Sequence, residues 1–141
     1  MEYRKFNDTI CLRVDPGEEV LECLAKVADA EHITLAEVSG LGAVNQIVVG
    51  VYYTEEKQYH SNEFSGYYEI TSLTGTITEQ DGHPYLHIHM SAGDKEGHVI
   101  GGHLNRAVVS ATAEIVIRIL DGHVGRRHDD AIGLNLFEFD S

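Results

Sequence analysis

From Thr9 to Val14 the chain alternates, with Ile10, Leu12 and Val14 on one side and Cys11 and Arg13 on the other. Successive side chains of a strand point to opposite faces, so this period of two predicts a half-buried β-strand. Asp15-Pro16-Gly17-Glu18 then reads as a helix start. Asp15 can cap, Pro16 suits the first helical position, and Glu18 stands where a capping-box carboxylate belongs. Val20, Leu24 and Val27, flanked by Leu21, Cys23 and Ala28, recur every three or four residues up to about His32, which predicts an amphipathic helix laid on a sheet. Beyond His32 short apolar runs punctuated by glycine predict strands over 33–39, 43–53, 66–78, 84–91, 107–120 and 134–139, with polar loops over 55–64 and 122–133. One helix against many strands leaves too few crossovers for a parallel sheet. The predicted fold class is therefore α+β: a strongly bent, mostly antiparallel sheet with one main helix.

A chain of 141 residues without internal repeat, low-complexity tract or linker predicts one domain over 1–141. Ten Lys and Arg against 23 Asp and Glu give a net charge of −13, a field that repels phosphate backbones and anionic lipid. No apolar run approaches the roughly 20 residues needed to span a bilayer, and the N-terminus lacks a signal-peptide layout, so a cytoplasmic protein is expected. Cys11 and Cys23 are expected to be small buried hydrophobes rather than a disulfide.

Nine histidines stand out, because histidine carries much metal and proton chemistry near neutral pH. His87-Ile88-His89 lies in an alternating run, so its two imidazoles share one strand face about 6.6 Å apart. In a chain this rich in histidine about 0.6 such pairs arise by chance, and the pair alone is weak. Gly101-Gly102-His103 follows a turn-rich stretch, and a hairpin would bring His103 opposite the pair. Three imidazoles with a fourth, open position is the layout of a hydrolytic or lyase zinc site, and a surface histidine cluster is the alternative reading. Glu69, in the apolar and aromatic run from Gly66 to Gly75, reads as a general acid or base, as an acceptor that orients a ligating imidazole, or as a solvent-facing strand residue. His32, His60, His83, His98, His123 and His128 read as surface histidines, and the cluster from Arg126 to Asp130 as a solvated loop. Gly40-Leu41-Gly42-Ala43-Val44-Asn45 opens like a dinucleotide fingerprint but lacks the third glycine and the following helix, so it reads as a glycine turn or bulge.

Five motifs in order resemble the plants-and-prokaryotes conserved (PPC) domain, as a stand-alone prokaryotic member. They are Ser39-Gly40-Leu41-Gly42-Ala43-Val44, then Tyr68-Glu69-Ile70-Thr71-Ser72-Leu73-Thr74-Gly75, Leu86-His87-Ile88-His89, Gly101-Gly102-His103-Leu104 and Ala113-Glu114-Ile115-Val116-Ile117. The resemblance spans nearly the whole chain. It implies a homotrimer and a fold similar to that of alpha-acetolactate decarboxylase and of a zinc-dependent ester hydrolase, both of which hold their metal with three histidines. It also implies that His87, His89 and His103 hold Zn2+. On that footing the expected function is a metal-dependent lyase or hydrolase acting on a small carbonyl or carboxylate compound, with Glu69 as proton carrier. The alternative is a non-enzymatic regulatory or DNA-associated module acting through protein partners. The plant AT-hook core Arg-Gly-Arg-Pro is absent from this sequence, so no direct DNA binding without a partner is expected, and no membrane association.

Overall fold

The computed structural model describes residues 1–139. In β2 (Thr9–Val14) the alternation is realised: Ile10, Leu12 and Val14 are buried and Cys11 and Arg13 face out. Cys11 is thus exposed, contrary to the expectation of two buried cysteines, because the period of two fixes its face; Cys23 is buried. A strand that the apolar pattern did not signal, β1 (Glu2–Phe6), pairs antiparallel with β2 from Glu2 opposite Arg13 to Phe6 opposite Thr9. Its side chains are nearly all exposed, so it carries no alternation to read.

Asp15-Pro16-Gly17-Glu18 forms a turn instead of the first helical turn. The Glu18 N–H donates to the Asp15 carbonyl at 3.1 Å, and Gly17 sits at φ +86°. Proline second and a positive-φ glycine third are the requirements of a type II turn, and that geometry cannot continue into a helix. Helix α1 (Val20–Ala30) begins later, with Glu19 as its N-cap, and buries Val20, Cys23, Leu24, Val27 and Ala28. The two carboxylate oxygens of Glu19 serve two elements at once. One accepts from the Glu22 N–H at 2.8 Å and caps the helix; the other accepts from the Ala107 N–H at 2.8 Å.

Four long strands make the body: β3 (Ala36–Tyr53), β4 (Gln58–Gln80), β5 (His83–Gly93) and β6 (Val99–Ile119). The glycine segment 40–42 is a bulge inside β3, where the register with β4 shifts, so the two predicted strands are one. The first residues of β4 fall where a loop was expected; all of 58–63 are exposed, which erases the apolar alternation. The sheet order is β1-β2-β6-β3-β4-β5, every pairing is antiparallel, and β5 returns to pair with β6 so that the last four strands close on themselves. Their inward side chains and the apolar stripe of α1 form one core. A small hairpin, β7 (Gly125–Asp129) with β8 (Leu134–Glu138), occupies the predicted loop 122–133 and its neighbour. Arg126 there is not solvated: its guanidinium lies 4.6 Å from the Tyr85 ring centroid and 4.4 Å from that of Phe137, and its Nε donates to the buried Thr78 hydroxyl at 2.9 Å. Among the described residues no helix is long and apolar enough to cross a membrane.

The double role of Glu19 generates a prediction. Glu19→Ala removes a helix cap and leaves a backbone donor of β6 without its acceptor, so unfolding in urea should show a loss of about 2–4 kcal/mol. Glu19→Gln, which keeps one carbonyl acceptor, should cost clearly less.

Candidate metal centre

Ile88 and Met90 are drawn into the core, with 1% and 3% of their surface exposed, and period-two geometry therefore turns His87 and His89 to the outer face of β5. The connection to β6 fixes what comes opposite. The Asp94 carboxylate accepts from the backbone N–H groups of Glu96 and His98, both at 2.9 Å, while the Asp94 N–H donates to the His98 carbonyl at 2.9 Å. This closed turn sets the register Gly93 opposite Val99, Ser91 opposite Gly101 and His89 opposite His103. The paired glycines let the strands approach: a Cβ on Gly101 would lie 2.6 Å from the Met90 carbonyl oxygen, and one on Gly102 2.6 Å from that of Gly50. The hairpin expected from the sequence is present, and it brings the three imidazoles together.

Ring centroids are 5.1 Å apart for His87 and His89, 5.3 Å for His87 and His103, and 5.5 Å for His89 and His103. The Nε2 atoms of His87 and His89 are 3.2 Å apart, and one nitrogen from each of the three rings lies within 4.8 Å of the others. Two nitrogens bound tetrahedrally to one ion at about 2.0–2.1 Å stand about 3.3 Å apart, so the His87–His89 separation already matches a shared ligand. His87 and His89 are exposed and His103 half-buried, leaving the outer side open. Beside His89 is a shallow hollow of about 230 Å³ lined by Ser72, Thr74, Ser91 and Gly101.

Partial burial pushes the His87 imidazole below its ordinary pKa, helped by His103, His89 and Arg126 nearby; burial does the same to His103, helped by His89. Both are thereby kept neutral, the state in which imidazole donates a lone pair to a metal.

Glu69 is not brought to this group. It is exposed, lies opposite Ala43 and Gly93, and stands five residues along β4 from Thr74, the partner of His89, a strand distance of about 16 Å. His32, His60, His83, His98, His123 and His128 are all exposed, as expected. Asp94, Glu96 and His98 form a second group of potential ligand atoms, with Asp94 engaged in holding the turn. The sequence reading missed Tyr59, which lies against His103, and Asn105, which is hydrogen-bonded to Tyr59. Tyr59 is separated from His103 by 44 residues and sits in a stretch expected to be loop, so no local signal connects them.

The lowered imidazole pKa values set a pH dependence for the metal-free fold. In the unfolded chain these groups take a proton near pH 6.5, and in the folded chain only at lower pH. Below about pH 6.5 the unfolded chain therefore binds more protons, and stability falls as the pH drops from there. The carboxylates of Asp15, Glu18, Glu31 and Asp94, whose pKa values are lowered, act in a separate window below about pH 4.5. Urea midpoints measured in chelator should decline from about pH 7 to pH 5, and replacing His87 and His103 together by Asn should flatten that decline.

The profile of the Plants and Prokaryotes Conserved domain matches residues 1–121. A metal-containing protein from Archaeoglobus fulgidus superposes with a TM-score of 0.86 at 33% identity, covering 98% of this chain and 96% of that one. A plant- and prokaryote-conserved protein from Pyrococcus horikoshii gives 0.85 at 32% identity, covering 99% and 95%. A protein from Ralstonia eutropha, provisionally named DNA-binding, gives 0.90 at 27% identity, covering 98% and 96%. Comparison with curated proteins finds no match. Profile, sequence identity over nearly the full length and fold agree, and the chain belongs to the Plants and Prokaryotes Conserved domain family.

Proposed function

We propose that this protein binds a divalent metal ion, zinc first among them, through His87, His89 and His103, and presents the ion's open position to a small carbonyl or carboxylate compound. The observation that carries this reading is the convergence of three imidazole nitrogens within 4.8 Å on one open face. The donor set fits the group. Three nitrogens without thiolate suit zinc and its imidazole-loving neighbours, and three protein ligands with one free position is the catalytic and not the structural arrangement. The metal-containing relative from Archaeoglobus fulgidus lends support.

When bound, such an ion polarises a carbonyl or activates a water molecule. The chain's own part is to hold three neutral donors on paired strands, where the register of His89 against His103 limits their movement. The open face leaves room for ligand, and the hydroxyls of Ser72, Thr74 and Ser91 offer hydrogen bonds beside His89. Glu69 stands too far along β4 to move a proton at this site within one chain. Hydrolase or lyase chemistry on a small carbonyl or carboxylate compound is the reading we retain.

The assembly is a homotrimer in this proposal. Phe6, Leu41 and Val116 are 55%, 57% and 42% exposed around an apolar groove of about 740 Å³ on the outer side of β1, β2, β6 and β3, and a subunit contact would cover them. Light scattering should return three times the mass of one chain, and a single-chain mass at micromolar concentration would exclude it.

Elemental analysis of untagged protein should find one zinc per chain. Changing His87, His89 or His103 to Ala should each lower zinc affinity by more than the 10–100-fold that loss of an outer partner costs, while His60→Ala and His123→Ala should leave it intact. Metal content indifferent to the three ligands would sink the reading.

With a net charge of −13, untagged protein should not shift duplex DNA at physiological salt without a partner. Sub-micromolar binding with steep salt dependence in a gel-shift titration would contradict this.

A further inference from the structure

We propose that Tyr59 is a positioning residue of the histidine centre, holding His103 in the orientation in which its ring nitrogen meets those of His87 and His89. The inference rests on the metal-binding reading above.

Tyr59 belongs to β4 and His103 to β6, with β3 between them: Gly50 of β3 is paired with Ser61 on one side and with His103 on the other. An aromatic ring crosses an intervening strand only where that strand offers no side chain. Gly50 provides the gap, because a Cβ there would lie 2.5 Å from both Cζ and Oη of Tyr59. Having crossed, the Tyr59 ring meets the His103 imidazole edge to face, with centroids 5.9 Å apart and planes at 83°. Its hydroxyl oxygen lies 3.3 Å from the His103 carbonyl oxygen and in hydrogen-bond contact with the Asn105 side chain.

One phenolic proton serves one acceptor. With the Asn105 amide turned to present its NH2, Tyr59 accepts from Asn105 and donates to the His103 carbonyl, and all three groups are satisfied. Asn105 is the extra residue of a bulge in β6 next to the ligand strand segment, and Tyr59 reaches both it and the His103 carbonyl, so this bridge pins the backbone that carries the ligand while the ring limits its rotation. The device matters because the usual one is missing: among the described residues, no carboxylate or carbonyl accepts from the ring nitrogens of His87, His89 or His103, and the one hydrogen-bond contact is between His87 and His89 themselves.

The test uses full-length untagged protein, stripped with chelator and reloaded. Zinc affinity is read by competition with a chromophoric chelator, and ligand geometry by the visible absorption of the cobalt(II) form. Tyr59→Phe keeps the ring and loses the bridge; zinc affinity should fall about tenfold, and Tyr59→Ala, losing both, should approach 100-fold. Asn105→Ala should resemble Tyr59→Phe. Each should shift or broaden the cobalt absorption, while the metal-free melting temperature of Tyr59→Phe stays at the wild-type value. Tyr67→Phe, on a ring 87% exposed, should behave as wild type. Wild type that binds zinc through the three histidines, with Tyr59→Phe and Asn105→Ala matching it in affinity and spectrum, overturns the role of Tyr59 and leaves the metal reading standing. Wild type that binds no zinc overturns both. Should Tyr59→Ala fail to fold, Tyr59→Phe and Asn105→Ala decide alone.

Discussion

β6 is 21 residues long and is paired along both edges. On one edge runs β3; on the other β5 takes 99–103, the segment before α1 takes the middle, and β2 takes 113–118. The middle stretch is filled by backbone: the Val109 N–H donates to the Glu18 carbonyl, the Gly17 N–H to the Val109 carbonyl, and Ala107 uses the Glu19 carboxylate. An interior strand cannot leave these groups unpaired without losing free energy comparable to a hydrogen bond for each. That accounting closes the sheet and places α1, while the Asp94 turn sets His103 against His89. The turn at Asp15-Pro16-Gly17-Glu18 exists to bring backbone to this edge, which explains why it is not yet helix.

The same closure decides on which side the chemistry stands. Ile88, Met90 and Leu104 fill the interior, so their neighbours His87, His89 and His103 are left to the outer face. Partial burial there lowers the pKa of His87 and His103 without enclosing them. Three neutral donors would leave a bound ion its full charge, and a net charge of −13 favours the approach of cations to the molecule over long range. In the proposed metal site no acidic ligand is called for, and an ion held by three neutral imidazoles would keep more affinity for an anionic or carbonyl oxygen than one in a carboxylate-rich site.

The Ralstonia relative is provisionally named DNA-binding, and the one described helix of this chain is used for packing. Helix α1 is the one helix among the described residues, and it turns Val20, Cys23, Leu24, Val27 and Ala28 into the core with an acidic residue, Glu22, in its first turn. A recognition helix would need a basic exposed face to meet phosphate and base edges. Arg118 and Lys5 are committed to Glu37 and Glu31.

The amino-acid sequence by itself determined the fold class, the single helix, the alternating strand at Thr9–Val14, and the face shared by His87 and His89, because each depends on a local period that burial enforces. It also pointed to the hairpin that carries His103, through glycines that only a close strand approach explains. Strands that are almost wholly exposed, such as β1 and the start of β4, left no such trace, and of the turn and the bulge that Gly40-Leu41-Gly42 left open the structure has the bulge, inside one continuous strand. Arg126 read as solvated charge because the rings that enclose it, Tyr85 and Phe137, come from distant or later segments. Glu69 read either as a proton carrier or as a solvent-facing strand residue; it is exposed, and the distance along β4 separates it from the histidines within one chain. Tyr59 and Asn105 could not be found at all, since their meeting with His103 depends on three strands lying side by side and on the missing side chain of Gly50 between them. Local periodicity fixes which face a residue takes; only strand order and register decide what it faces.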